Sequence, residues 1–481
     1  MESKTPKLPS PLLSIIPIVV LIILLSFIVR ILADDALSGA SQVALLIATA
    51  VAAGIAMING TKWKAIEESI ASNIAGVSVA VIVLLLIGCL SAAWMISGIV
   101  PAFIYYGVEL IQPKFFLLST CFICSVISVV TGSSWTTVAT IGIALLGIGQ
   151  AQGFSDGWIA GAIISGAYYG DKISPLSDTV ILTVSVTETP LYTHIRYLMT
   201  TTTPAMLIAL LVYTIAGFMF EPAETNQILG LQEAIRNTFD LSPWLMVVPI
   251  ITIALIIKKV SPVITLFASS IIAIIFAVIF QPELLQRITE SDTASLESLF
   301  KGSMITLYGS TAIETGNDAL NGLVSTRGMA GMMNTVWLIL CAMCFGGAMV
   351  AGGMIKSLTN MFLRFIKGAL SLVSSTVSSG LLLNLCVGDQ YMAILLLGNM
   401  YKDVYKEKGY ESKLLGRSTE DAVTVTSPLV PWNSCGMTQS TVLGVATLTY
   451  LPFCLFNLLC PVMSIVMTAI GYKIKRTRPQ E

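Results

Sequence analysis

The sequence predicts an all-α polytopic membrane protein built from two inverted-topology repeats, each with about five spans, a re-entrant hairpin and a broken helix. Three observations carry that prediction. Of 481 residues, 55% are hydrophobic and only 11% charged, against about 25% charged in a soluble globular domain. Apolar runs of spanning length recur along the chain, and the two halves of the chain match each other in order.

The runs fall at 11–33, 41–58, 77–99, 197–220, 243–257, 262–280, 334–355 and 447–471. A span needs about 20 apolar residues, whereas strands of a membrane barrel alternate in shorter segments, so these are helices. Lys4 and Lys7 precede the first run, which is too long for a signal-peptide core and has no small-residue cleavage site after it. It reads as a retained first helix. The nine cysteines lie mostly inside apolar runs, with neither zinc spacing nor a disulfide framework, and behave as small hydrophobes. A net charge of −1 with no basic stripe gives no nucleic-acid partner. The lipid bilayer is the expected partner, and a homodimer is compatible with this reading.

Internal repetition sets the organisation. SPLLSIIPIVVLI at residue 10 matches SPWLMVVPIITIA at 242, and SQVALLIATAVAAGI at 41 matches SPVITLFASSIIAII at 261. AAWMISG matches GAMVAGG, setting Gly98 against Gly352. Gly132 and Gly153 are spaced like Gly388 and Gly409, and SPLSDT at Ser174 matches SPLVPW at Ser427. The repeats are therefore 10–225 and 240–475, with 1–9 and 476–481 as tails. Loop charges invert between them: Asp34 and Asp35 oppose Lys258 and Lys259. NGTKWKAIEES, read as an amphipathic connector, opposes an acidic stretch with Glu283, Glu290, Asp292 and Glu297. QAQGFSDGW opposes the basic YKDVYKEKGYESKLLGR. Lys and Arg mark the cytoplasmic side. With Lys4 and Lys7 at one end and Lys473, Lys475, Arg476 and Arg478 at the other, both termini read as cytoplasmic, in a multi-pass protein of the inner membrane.

Within the first half, spans near 11–33, 41–58 and 77–99 precede residues 115–150, two apolar arms of about 16 residues around TGSSWTT. The polar tip favours a re-entrant hairpin over two further spans. A broken span near 157–190 and a last one at 197–220 complete the half. Inverted repeats with broken helices mark secondary transporters, whose sites lie near the midplane.

Four polar stretches interrupt the apolar chain: TGSSWTT, YYGDKISPLSDT, VGDQY and STEDAVTVTSPLVPWNSCG. Pro175, Pro428 and Pro431 break helices. A broken helix frees carbonyls at its negative end, which with hydroxyls and a carboxylate make an oxygen cage suited to Na⁺. Ionisable groups at that depth are usually functional. The cation- and proton-binding candidates are Asp389, Asp178, Asp171 and Asp421, with Ser133, Ser134, Thr136, Ser174, Asn433 and Ser434 completing the cage. Na⁺ would sit at these same residues. Plainer roles stand beside these. Asp171 and Lys172 would pair with each other, Glu420 and Asp421 would cap the broken helix, and Asp389 would be a packing carboxylate. The hydroxyls of Ser133, Ser134, Thr136 and Thr137 would glue helices together. His194, the single histidine, reads as a surface residue beside Arg196 at a helix start, with a pH sensor as its alternative. Trp94 and Trp135 stand out from tryptophans that otherwise serve as packing or interface anchors. No HExxH, GxSxG or paired metal-ligand pattern supports an enzyme.

LLLIGCLSAAWMISGIVPAFIYYGVELIQP, TGSSWTTVATIGIALLGIG, SGAYYGDKISPLSDTVILT with THIRYLM, and GRSTEDAVTVTSPLVPWNSCG run in order along most of the chain. Through them the chain resembles the NhaC-type sodium/proton antiporter family, which is similar to the wider ion-transporter superfamily. Thr136 stands where that family often has glycine. The resemblance implies re-entrant hairpins, broken helices and elevator-type motion, with Na⁺ and H⁺ as transported ions and no cofactor. The expected activity is exchange of Na⁺ for H⁺ by alternating access, the two ions competing for buried carboxylates. The family also contains members proposed to exchange malate for lactate with protons and sodium. The alternative is therefore an organic-anion antiporter of the malate/lactate type coupled to H⁺ and Na⁺. Acids outnumber the single lysine in the polar stretches, which suits a cation better.

Overall fold

The computed structural model describes residues 7–32, 39–220, 225–291, 293, 295–317, 320–321 and 324–476. Lys4, Asp34, Asp35, Asp292 and Arg478 of the loop-charge argument, and most of both tails, lie outside the described residues. The described chain is helical, without strands. Nine described helices are long and apolar enough to cross a membrane, or up to eleven if each of two bent pairs is one span.

The first half opens with α1 (Pro11–Leu32), α2 (Ala40–Ile58), α3 (Trp63–Gly76) and α4 (Ser78–Ile96). It continues with α5 (Ile99–Leu110), α6 (Phe116–Thr131) and α7 (Ser134–Ala151), which holds a π turn at Val138–Gly142. Then come α8 (Asp156–Ile173), α9 (Asp178–Thr187) and α10 (Leu191–Met219). α11 (Thr225–Thr238) links the halves, and the second half begins with α12 (Val247–Ile257), α13 (Pro262–Phe280) and α14 (Leu296–Tyr308). After these come α15 (Met333–Ala351), α16 (Met354–Leu363), α17 (Ala369–Val387) and α18 (Gln390–Glu407). The half ends with α19 (Ser412–Thr419), a π turn at Glu420–Thr424, α20 (Ser434–Leu443) and α21 (Leu455–Ala469).

The 115–150 stretch forms two helices of 16 and 18 residues, α6 and α7. With the turn that precedes α6, both are long and apolar enough to cross. At about 1.5 Å rise per residue they approach the thickness of a bilayer core of about 30 Å. The break expected near Pro175 separates α8 from α9, and the one near Pro428 and Pro431 separates the π turn from α20. Left-handed backbone recurs at matched positions: Gly132 (φ 67°) and Gly388 (φ 73°), Gly153 (φ 89°) and Gly409 (φ 72°). Gly98 (φ 86°) starts α5 as Gly353 (φ 67°) starts α16. Taken letter for letter, AAWMISG against GAMVAGG ends on Gly353 and not on Gly352, so the partner of Gly98 is Gly353.

The two hydrophobic cores interleave the halves. One joins the end of α4, α5–α8 and the inner face of α10 with residues from 231–324 and 425–460. The other joins residues 18–84 with residues from 332–437. α13 packs on α4, and α15 packs on α2 and α3. The connector α3 therefore buries one face, with Ser69 Oγ donating to Gly347 O at 2.9 Å.

Small residues set the closest approach. On α8, Gly166 and Gly170 are four apart and face α6. A Cβ there would meet Cys121 O at 2.2 Å and Ser125 O at 2.4 Å. This is the small-xxx-small contact of membrane helices, and it seats the α6–α7 hairpin beside the broken span. Gly170→Val is expected to lose about 1–3 kcal/mol by overpacking. That loss should appear as a lower melting temperature of detergent-solubilised protein on a size-exclusion column. An unchanged melting temperature would show that the hairpin shifts freely.

Candidate ion-binding site

In the first half a hairpin tip meets a helix break. α6 ends at left-handed Gly132, and Ser133 caps α7, its hydroxyl accepting from Thr136 N at 3.2 Å. Gly followed by a capping serine ends one helix and starts the next within two residues. A Cβ at Gly132 would lie 2.7 Å from Leu176, so the missing side chain lets the tip sit on the α8–α9 break. Asp171, near the end of α8, bridges the two. Its Oδ2 accepts from the backbone N–H of Ser134 at 3.2 Å and from the Ser134 hydroxyl at 2.7 Å. Ser174 donates to Val129 O at 2.8 Å and accepts from Leu176 N at 3.2 Å. Ser177 caps α9, accepting from Val180 N at 3.4 Å.

The second half repeats the construction with different residues. α17 ends at left-handed Gly388, and Asp389 caps α18, its Oδ1 accepting from Met392 N at 3.0 Å. Its Oδ2 accepts from the Ser434 hydroxyl at 3.0 Å, while Ser434 N donates to Gly388 O at 2.7 Å. Asn433 caps α20, accepting from Cys435 N at 3.1 Å, and donates to Asn384 O at 3.3 Å. Ser427 donates to Gln390 Oε1 at 3.3 Å, so the residue matched to Ser174 meets the residue matched to Ser134. The carboxylates also change sides. In the second half the acid is on the tip (Asp389) and the hydroxyl follows the break (Ser434). In the first the hydroxyl is on the tip (Ser133) and the acid follows the break (Asp178).

Asp171 and Asp389 are 5% and 3% exposed, whereas Asp178 is exposed. Tyr391 lies within electrostatic reach of all three. Thr136 and Ser134 are buried beside them. Among the described residues no three His, Cys, Asp or Glu side chains gather as metal ligands. The oxygens here come from hydroxyls, amides and single carboxylates, a donor set for a hard cation.

Asp421 lies elsewhere. Lys172 does not pair with Asp171. It forms a fully buried ion pair with Asp421 across the halves, and Thr201 donates to the same Asp421 oxygen at 3.1 Å. Arg417, also fully buried, comes to 3.9 Å from Asp421 and donates to Thr468 Oγ1 at 2.8 Å. Its guanidinium lies over the Tyr197 ring. Glu420 is fully buried in the π turn, with Thr183 of α9 donating to it at 2.6 Å. Neither acid is a water-facing cap.

His194 contradicts its surface reading. It is fully buried against Gly416, where a Cβ would come within 2.7 Å of its Nδ1, so the glycine on α19 makes its room. Trp94 is structural, its Nε1 donating to Ser269 at 3.0 Å, and Trp135 packs beside Cys435. The sequence reading passed over Gln390, Ser427, Thr183, Thr201 and Tyr391. For Gln390 the signal was present, since VGDQY aligns with TGSSW and sets Gln390 opposite Ser134.

A wholly helical, spanning chain with paired tips and helix breaks around buried carboxylates is a multi-pass membrane transporter. The model of the Na⁺/H⁺ antiporter family matches residues 10–187 and 166–472, and the chain belongs to that family. Na⁺/H⁺ antiporter NhaC of Bacillus subtilis is 35% identical over 428 residues, 89% of this chain and 91% of the relative. NhaC of Alkalihalophilus pseudofirmus is 32% identical, covering 85% and 86%. The malate-2H⁺/Na⁺-lactate antiporter of B. subtilis is 32% identical, covering 86% and 85%.

Proposed function

We propose that the chain exchanges Na⁺ for H⁺ across the cytoplasmic membrane by alternating access between two inverted repeats, both termini cytoplasmic. One observation carries this reading: each half seats a hairpin tip on a helix break and puts one buried acid there, Asp171 in one half and Asp389 in the other. Family membership agrees with it. The cation is held at Asp171 and Asp389, with oxygens from Ser133, Ser134, Thr136, Ser174, Asn433 and Ser434. Exposed Asp178 stands at the rim, where it gathers cations before they enter. A buried carboxylate without a neutralising partner is costly, so Na⁺ and the exchanged proton are not held at the same time, and the two ions exclude each other. Asp421, tied to Lys172, fixes the halves against each other. The matched left-handed glycines support the repeat, and Lys7, Lys473, Lys475 and Arg476 support the orientation. The membrane potential adds about 2.3 kcal/mol per charge per 100 mV, so unequal ion numbers would let it drive Na⁺ outward.

One observation favours a second reading, an organic-anion antiporter: a relative covered over 85% of its length is named a malate-2H⁺/Na⁺-lactate antiporter. Everted membrane vesicles with an imposed pH gradient separate the two. Addition of Na⁺ is expected to collapse the gradient, and malate or lactate to leave it. The reverse pattern rejects the cation reading.

A further inference from the structure

The cation site leaves a second group of buried ionisable side chains unused. It lies along the α19–π-turn segment, where Arg417, Glu420 and Asp421 are all fully buried, with Lys172 of α8 and His194 of α10 facing them. Lys172 and Asp421 neutralise each other directly. Glu420 has no cation at hydrogen-bond distance: Thr183 binds its Oε1, and its Oε2 has no partner among the described residues. Several neighbours also keep a polar atom without a hydrogen bond among the described residues: Thr419, Arg417 Nη1 and both ring nitrogens of His194, while Thr424 lies beside the Glu420 carboxylate. Buried polar atoms are normally satisfied, and such a line of them is what water molecules bridge. Glu420 also stands in a π turn, a distortion that recurs at functional sites.

We infer that Glu420 is the proton-carrying residue, separate from the carboxylates that hold the cation. The inference rests on the exchange reading above and deepens it. The charge count gives the coupling. Lys172, Arg417, Asp421 and Glu420 sum to zero when Glu420 is ionised and to +1 when it is protonated. Glu420 lies within electrostatic reach of both Lys172 and Asp171. A unit charge about 10 Å away at an effective dielectric of about 20 changes cation affinity roughly tenfold. Protonation of Glu420 therefore repels Na⁺ from Asp171, and arrival of Na⁺ expels the Glu420 proton. The other charged groups near it are Asp421 and Arg417 on its own segment, while His194 of α10 lies against Gly416 and within electrostatic reach of Lys172. His194 is the competing carrier.

The test uses purified full-length protein in weakly buffered detergent solution, with a pH-indicator dye and radioactive Na⁺. Wild-type protein is expected to bind Na⁺ and release protons. Glu420→Gln is expected to bind Na⁺ roughly tenfold more weakly, without pH dependence and without proton release. His194→Gln is expected to release protons like wild type. Release from Glu420→Gln at the wild-type level overturns the proposal, as does loss of release in His194→Gln alone. Complete loss of Na⁺ binding in Glu420→Gln would place Glu420 in the cation site and also overturns it. Should Glu420→Gln fail to fold, Glu420→Asp keeps the readout. It is expected to release protons with a displaced pH midpoint, and an unchanged midpoint overturns the proposal. Wild-type protein that neither binds Na⁺ nor releases protons rejects the exchange reading as well.

Discussion

Asp389→Asn is expected to cut Na⁺-dependent exchange by about 100-fold or more while leaving the protein folded. The side chain does two things: it caps α18 through Met392 N, and it presents a negative charge beside Ser434. Asparagine caps a helix as well as aspartate does; with its amide oxygen on Met392 N, its NH2 group faces Ser434, whose hydroxyl turns to accept instead of donating. The variant therefore removes the charge and little else. An interaction with a buried charge is worth about 3–5 kcal/mol when one partner is lost, and each 1.4 kcal/mol is about tenfold. Asp171→Asn is expected to behave alike, because Ser134 donates to either side chain. Transport in everted vesicles and elution of monodisperse protein measure the two halves of the prediction. Near-normal exchange in either variant would remove that residue from the cation site. Near-normal exchange in both would dismiss the tips altogether.

Lys172→Met should be among the most destabilising single substitutions in the chain. It leaves Asp421 fully buried with Thr201 and with Arg417 at 3.9 Å. Breaking a buried pair by removing one partner costs about 3–5 kcal/mol, and the Arg417 charge keeps this case near the lower end. Lys172→Met with Asp421→Asn removes both charges, and most of the stability should return. Thermal melting of the wild type, both single variants and the double variant closes the cycle. Additive losses would show that the pair carries no coupling across the halves.

Much of the architecture was legible in the letters. Spans follow from hydropathy, which is a local property. Pro175, Pro428 and Pro431 announce the breaks, because proline lacks the N–H that a helix needs. Gly132 and Gly388 announce the tips, because each must turn left-handed beside a capping residue. Asp171, Asp389, Ser134 and Ser434 were found for the same reason: polar groups in apolar runs stand out. Asp421 stood out as polar too, but it was read as a cation ligand, whereas it is ion-paired with Lys172, which was set against its sequence neighbour Asp171.

What failed was partner choice. Lys172 and Asp171 are adjacent on one helix, so their side chains point about 100° apart and take different neighbours. One meets Asp421 of the second half, the other Ser134 of the hairpin. His194 beside Arg196 looked wet, yet it sits on the face of α10 that meets Gly416. The depth of Glu420 and its bond to Thr183 likewise depend on segments far apart in the chain. Residue chemistry thus settled the membrane class, the helix breaks and which polar groups lie deep, since each depends on a few consecutive residues. Only the packing of the two halves decided which buried charge is neutralised and which is left open, because a buried charge is governed by whatever the fold brings within a few ångströms of it.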